Sequence, residues 1–274
     1  MIPEGIGRYQ SVARRVLQPV VTRLWDFRVE GLEHVPATGP AVLCPNHAAA
    51  IDSAFVPAVL HRNLIYVGKS EYLDDWKTRR LFPALGMIPI DRRGGDHAKA
   101  ALDTAKAVLE SDGLFGIYPE GTRSRTGKLH KGHTGAARLA IETGAPIIPV
   151  GLVGTADIQP VDSVVPKFFR RVTIRFGEPI EVDRYRSRVG DRAVYRELID
   201  DVMYEIQALT GLEYVNVYAG SSAEPEPAAR PVSTPRAVPP TIDRPRPATI
   251  ESRSSSSVLT SEPLVPLAEV LAAS

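Results

Sequence analysis

Apolar positions along the chain follow two alternating patterns, short continuous runs and longer stretches with helical spacing. Ala41-Val42-Leu43-Cys44 is a compact apolar run closed by Pro45, which predicts a short buried strand, and Ile51 to Leu60 then takes up helical spacing. Ala98 to Glu110 predicts an amphipathic helix, with Ala101, Leu102, Ala105, Val108 and Leu109 on one face and Gly113 just beyond its end. Thr134 to Thr143, closed by Gly144, and Arg192 to Leu209 predict two more. Between or after them, strands are expected around 64–67, 87–90, 114–118, 147–152 and 171–176, and Pro89 marks its own strand as an edge or irregular one. The alternation implies an α/β fold, a single domain with a central mixed β-sheet flanked by helices.

Both ends depart from that pattern. Between Arg8 and Trp25, Val12, Val16, Leu17, Val20, Val21 and Leu24 recur at helical spacing, and the only charges are Arg8, Arg14, Arg15 and Arg23. An amphipathic helix is expected, kinked at Pro19. It would dock on the protein's own core or lie on a membrane surface. Beyond Ala219 prolines and serines dominate and little can be buried, so the end of the chain is expected to be a disordered tail. The expected organisation is an N-terminal helical segment over 1–27, a folded domain over 28–218 and a tail over 219–274.

Composition narrows the function. A chain of 274 residues with 43% apolar content can bury a sizeable core, and a formal net charge of +1 gives no global signal for nucleic acid. A single cysteine excludes an internal disulfide and suits a reducing cytoplasm. No run of about 18 apolar residues predicts a membrane-spanning helix. Arg14, Arg15 and Arg23 interrupt any signal-peptide core.

Candidate chemistry begins at Asn46-His47-Ala48-Ala49-Ala50-Ile51-Asp52. Residues five apart face opposite sides of a strand and lie about 140° apart on a helix, so a turn must intervene for His47 and Asp52 to meet. A strand-to-helix loop supplies one, where open α/β sheets carry their ligand sites. Neutral His47 would then act as a base and Asp52 as its orienter. The alternative is a histidine that merely caps the loop. No GxSxG elbow is present, so the nucleophile is expected to be a substrate hydroxyl. His61, His97, His130 and His133 are scattered, no HExxH or paired CxxC occurs, and no metal site is expected. Cys44 reads as core.

A second stretch, Tyr118-Pro119-Glu120-Gly121-Thr122-Arg123-Ser124, follows an apolar strand, and its turn offers backbone amides for an anion. From Gly121 to His133 the cations Arg123, Arg125, Lys128 and Lys131 occur without a carboxylate, which favours phosphate over a merely solvated loop. A third stretch, Gly86 to Arg93, again puts a guanidinium, Arg92, directly after an apolar run. It would hold phosphate or pair with Asp91 or Asp96.

These residues resemble the glycerolipid acyltransferase family that includes 1-acyl-glycerol-3-phosphate acyltransferases. Asn46, His47 and Asp52 match its NHxxxxD motif, Gly86, Ile88 and Arg92 resemble its second motif, and Tyr118 to Ser124 matches FPEGTRS with Tyr for Phe. Ala145 to Val150 is similar to its fourth, apolar motif. Ala49 stands where many members carry Ser, and Pro89 where a bulky residue is common. The likeness runs over about 25 to 215, in the family's order.

The resemblance implies an acyltransferase-like fold and acyl transfer from a thioester, on coenzyme A or acyl carrier protein as co-substrate, to a lipid hydroxyl. His47 would deprotonate the hydroxyl and Asp52 would orient His47. Arg92, Glu120, Gly121, Thr122 and Arg123 would form the acceptor site, with both arginines on phosphate and Glu120 ordering the loop. No other cofactor is implied. Backbone amides near His47 are candidates for stabilising the oxyanion. The expected acceptor is a lysophosphatidate-like lipid, giving phosphatidic acid, and a peripheral location on the cytoplasmic face of the plasma membrane follows. A glycolipid, another lysophospholipid or an amine are alternative acceptors, and a non-catalytic phospholipid-binding protein is the alternative from a different class.

Overall fold

A computed structural model describes residues 9–69, 83, 86–90, 95–163 and 165–221. In chain order the elements are α1 (Gln10–Leu24), β1 (Asp26–Glu30), β2 (Ala41–Pro45), α2 (Asp52–Val59), β3 (Leu64–Lys69), β4 (Met87–Ile90), α3 (Gly95–Glu110), β5 (Leu114–Gly116), β6 (Leu129–His130), α4 (Gly135–Thr143), β7 (Ile147–Val153), α5 (Thr155–Ile158), β8 (Arg171–Phe176), α6 (Arg192–Thr210) and β9 (Tyr214–Val215). Seven strands form one sheet in the order β1-β8-β7-β2-β5-β3-β4, and β6 pairs with β9 beside it. Every pairing in the large sheet is parallel except β7 with β8. The expected mixed α/β sheet is therefore present.

The central strand shows why apolar runs rather than alternation marked it. All five residues of β2 are buried because helices cover both faces of the sheet. Val42 and Cys44 join a core layer with α3, α4 and α6, contributed by Ala105, Leu139 and Val202 among others. Ala41 and Leu43 point into the opposite layer, with Trp25, Phe27, Phe55 and Val59. There the Phe55 ring meets Trp25 and Phe27 edge-on, at centroid separations of 5.2 and 4.9 Å. Full burial of such a side chain contributes about 1.5–3 kcal/mol.

Several expectations need correction. The boundary drawn after residue 27 falls inside β1, which pairs with β8 from Asp26 to Glu30, so the N-terminal segment is tied into the sheet. Pro19, where a kink was expected, lies inside the helix that spans Gln10–Leu24. Gln10 explains how it docks: its buried side chain donates from Nε2 to the Leu64 carbonyl and accepts from the Leu64 N–H at Oε1, both at 2.7 Å. The strand expected to reach Tyr118 stops at Gly116. Asp112, at φ 58°, takes the left-handed position after α3 that Gly113 was expected to fill. Pro89 does lie in an edge strand, β4. Of the tail expected over 219–274, residues 222 onward lie outside the described residues.

Candidate active site

β2 ends opposite Val150 while its parallel neighbour β7 runs on to Val153, and Asn46 fastens the chain to that extension. Pro45 supplies no N–H, but the Asn46 side chain takes over the ladder, donating from Nδ2 to the Leu152 carbonyl at 3.1 Å and accepting from the Leu152 N–H at 2.7 Å. The next residue, His47, is thereby held at the mouth of the sheet.

The intervening turn brings His47 and Asp52 together. Asp52 Oδ2 accepts from the Ala48 and Ala49 N–H groups at 2.9 and 2.8 Å and lies 3.0 Å from His47 Nδ1. A carboxylate oxygen can only accept, so in the neutral ring this contact places the proton on Nδ1 and leaves Nε2 its lone pair. Asp52 is fully buried, whereas the His47 side chain is 15% exposed. The ring is therefore held at its Nδ1 edge while part of the side chain reaches the surface.

Two further contacts set the imidazole. The Tyr118 ring stacks on it at a centroid separation of 3.9 Å, and the Tyr118 hydroxyl lies 3.1 Å from Ser53 Oγ, one residue beyond Asp52. Burial, with the Asp52 charge adding to it, pushes the Tyr118 phenol well above its ordinary range. It is a neutral platform. Behind the platform, Val56, Pro57, Leu64, Tyr66 and Gly116 line a mainly apolar cleft between α2 and the sheet.

Glu120 orders the second loop, as expected. It is 1% exposed, and its oxygens accept from the His47 N–H at 3.0 Å and the His130 N–H at 2.9 Å. The Ser124 N–H returns to the His47 carbonyl at 2.8 Å. Gly121 turns at φ 73°, and a Cβ there would stand 3.0 Å from the His133 ring. Thr122 is half-buried in that turn. Arg123 lies at the rim, where Nη1 donates to the Val161 carbonyl at 3.2 Å. Arg92 lies outside the described residues.

The expectation that amides of the His47 loop stabilise an oxyanion fails for three of them. Those of His47, Ala48 and Ala49 are already committed to Glu120 and Asp52. The amide expected to face an anion at Gly121 instead donates to the Tyr118 carbonyl at 3.0 Å. Burial pushes the Cys44 thiol far up, which fits a core residue. Among the described residues no cluster of three or more His, Cys, Asp or Glu could hold a metal ion.

Sequence reasoning passed over the connection between β7 and β8, Gly154–Arg170, which rims this site. Gln159 Oε1 accepts from the Ile51 N–H at 2.9 Å, and Val161 holds Arg123. No motif signals it, because its contribution is made through backbone and one amide side chain.

Residues 26–153, which span both loops, match the family model described as Acyltransferase. That stretch of the chain is similar to the family. Over 130 residues the chain is 33% identical to mouse 1-acyl-sn-glycerol-3-phosphate acyltransferase alpha, a match covering 46% of each protein. It is 30% identical over 127 residues to the 1-acyl-sn-glycerol-3-phosphate acyltransferase of Borreliella burgdorferi, covering 46% of this chain and 51% of the relative. The chain thus spans about half the length of these curated relatives. Its fold is that of the crystal structure of the 1-acyl-sn-glycerophosphate acyltransferase from Thermotoga maritima, with a TM-score of 0.56 at 19% identity over 73% of this chain and 82% of that one.

Proposed function

We propose that the chain transfers an acyl group from the thioester of acyl-CoA or acyl carrier protein to the free hydroxyl of 1-acyl-glycerol-3-phosphate, forming phosphatidic acid for phospholipid synthesis. The observation that carries this reading is the partly exposed His47 ring, held at Nδ1 by buried Asp52. His47 Nε2 takes the hydroxyl proton as the oxygen attacks the thioester carbonyl, the C–S bond breaks, and the proton passes to the departing thiolate. Asp52 stabilises the imidazolium formed between these steps. Arg92 and Arg123 bind the acceptor's phosphate, with Gly121 and Thr122 shaping the turn that precedes Arg123, and Glu120 holding that turn against the His47 backbone.

The substrate class rests on the names of the relatives and on the cations of the second loop. A lipid acceptor calls for a peripheral position on a membrane, here the cytoplasmic face of the plasma membrane. Val12, Val16 and Val20 are exposed along α1 while Val21 and Leu24 pack on the core, which supports that position. Among the described residues no helix is long and apolar enough to cross a membrane.

The test is thiol release from acyl-CoA and from acyl carrier protein against a panel of acceptors, with wild-type and His47→Ala protein. Release that depends on lysophosphatidate and is lost in the variant supports the reading. Lipid binding without thiol release in either protein would overturn it.

A further inference from the structure

The connection Gly154–Arg170 contains a feature that neither catalysis nor core packing explains. Phe169 is 79% exposed at φ 58°, a left-handed conformation that a bulky residue rarely adopts, and its neighbours Phe168 and Val165 are 45% and 68% exposed. The strained position is built in. The Phe169 N–H donates to the Leu24 carbonyl at 2.7 Å, Trp25 Nε1 donates to the Lys167 carbonyl at 2.8 Å, and the Phe168 ring lies 5.4 Å from that of Trp25. The connection is therefore clamped to the C-terminal end of α1, with Phe169 directed away from the core.

Topology decides where this faces. Because β8 runs antiparallel to β7, its first residues, Arg171 to Thr173, lie beside the C-terminal end of β7, the end of the sheet toward which β2 leads into His47. The same connection touches the site through Gln159 and Val161. Asp157 and Asp162 lie in its first part, whereas the stretch running into β8, Val165-Pro166-Lys167-Phe168-Phe169-Arg170-Arg171, has three cations and no carboxylate. Arg171 pairs with Asp26, but Lys167 and Arg170 are exposed and make no ion pair among the described residues, nor does exposed Arg23 on the adjoining turn of α1.

We propose that Phe168 and Phe169, flanked by Lys167 and Arg170, form an interfacial wedge that seats the active-site edge of the sheet on an anionic lipid bilayer. Apolar side chains enter the boundary between headgroups and acyl chains while cations remain at the anionic headgroups. The exposed valines of α1 extend the same contact from Leu24 back to Val12, over about 18 Å of helix. This deepens the acyltransferase reading and rests on it for the lipid acceptor, since a base beside the bilayer receives its acceptor without extracting it into water.

The experiment uses the full chain with vesicles of phosphatidylcholine alone and of phosphatidylcholine mixed with phosphatidylglycerol. Phe169→Gly relieves the positive φ, so thermal stability should hold or rise, while vesicle partitioning should fall about tenfold, as expected when one buried Phe is lost. Lys167→Glu/Arg170→Glu should abolish the preference for anionic vesicles. Thiol release with a monodisperse short-chain lysophosphatidate should match wild type in both variants. Unchanged partitioning in both variants overturns the wedge, as does a wild-type dimer that Phe169→Gly converts to monomer, which would make the patch an interface between two copies. Partitioning that still depends on Phe169 in a protein without thiol release upholds the wedge and removes the acyltransferase reading.

Discussion

Tyr118 lies against His47 as one flat ring on another, 18° from parallel, with its hydroxyl beside Ser53. The stack limits the imidazole's rotation about the axis that Asp52 leaves free, so the outer nitrogen faces one direction. Tyr118→Phe keeps the ring and removes one buried hydrogen bond, and should lower stability by about 0.5–1.5 kcal/mol with kcat nearly unchanged. Tyr118→Ala removes the platform and should lower kcat more than KM rises. Urea unfolding and steady-state kinetics separate the two effects.

His47→Ala should lower kcat by about 10²- to 10⁴-fold, the usual contribution of a general base. Asp52→Ala should do more than slow the reaction. It leaves the Ala48 and Ala49 N–H groups without their acceptor, at about 1–3 kcal/mol for each buried orphan, so a lower melting temperature should accompany the loss. If Asp52→Ala lost activity at unchanged stability, the carboxylate would not be organising the turn.

Glu120→Gln is a test of loop order. Both carboxylate oxygens accept backbone protons, and an amide can replace only one of them while its NH₂ group confronts the other donor. Stability should fall by about 1–3 kcal/mol and the KM for the acceptor should rise, read by calorimetry and by acceptor titration. An effect on kcat alone would assign Glu120 a chemical part instead.

Alkaline pH should unfold the protein through its buried phenols. Burial pushes the Tyr66 phenol up to about 12 and Tyr118 also well above 10, whereas in the unfolded chain both ionise near 10. The unfolded state therefore releases protons first, so stability is fully present below pH 10 and declines as pH rises toward 12. Denaturant midpoints measured against pH should fall over that window in step with phenolate absorbance. Tyr66→Phe should flatten the decline.

The sequence carries the helices and central strands clearly because their signals are local. Val42 and Cys44 serve one core layer and Ala41 and Leu43 the other, which leaves a continuous apolar run, and α4 ends at Gly144 with φ 75° because the turn needs a left-handed residue. β1 was within reach, since Phe27 and Val29 alternate with polar neighbours, but the preceding helical pattern obscured it. β6 and β9 have two residues each, too few to show a period. At the site, His47, Asp52 and Glu120 stand out by residue type and spacing. Gln10, Asn46 and Gln159 work by bonding distant backbone, and Tyr118 by stacking, relationships that depend on partners up to 108 positions away and leave no mark in any window of sequence.

Asn46 and Glu120 give the pocket an order of assembly. His47 and Asp52 are five positions apart and can meet early, but the Leu152 backbone that anchors Asn46 and the carboxylate that grips the His47 amide come from segments 106 and 73 positions downstream. A nascent chain emerging from the ribosome would thus carry its reactive pair on an unsupported loop until β5 and β7 had been synthesised and inserted. Competence for catalysis arrives with completion of the central sheet, so a half-made molecule stays inert.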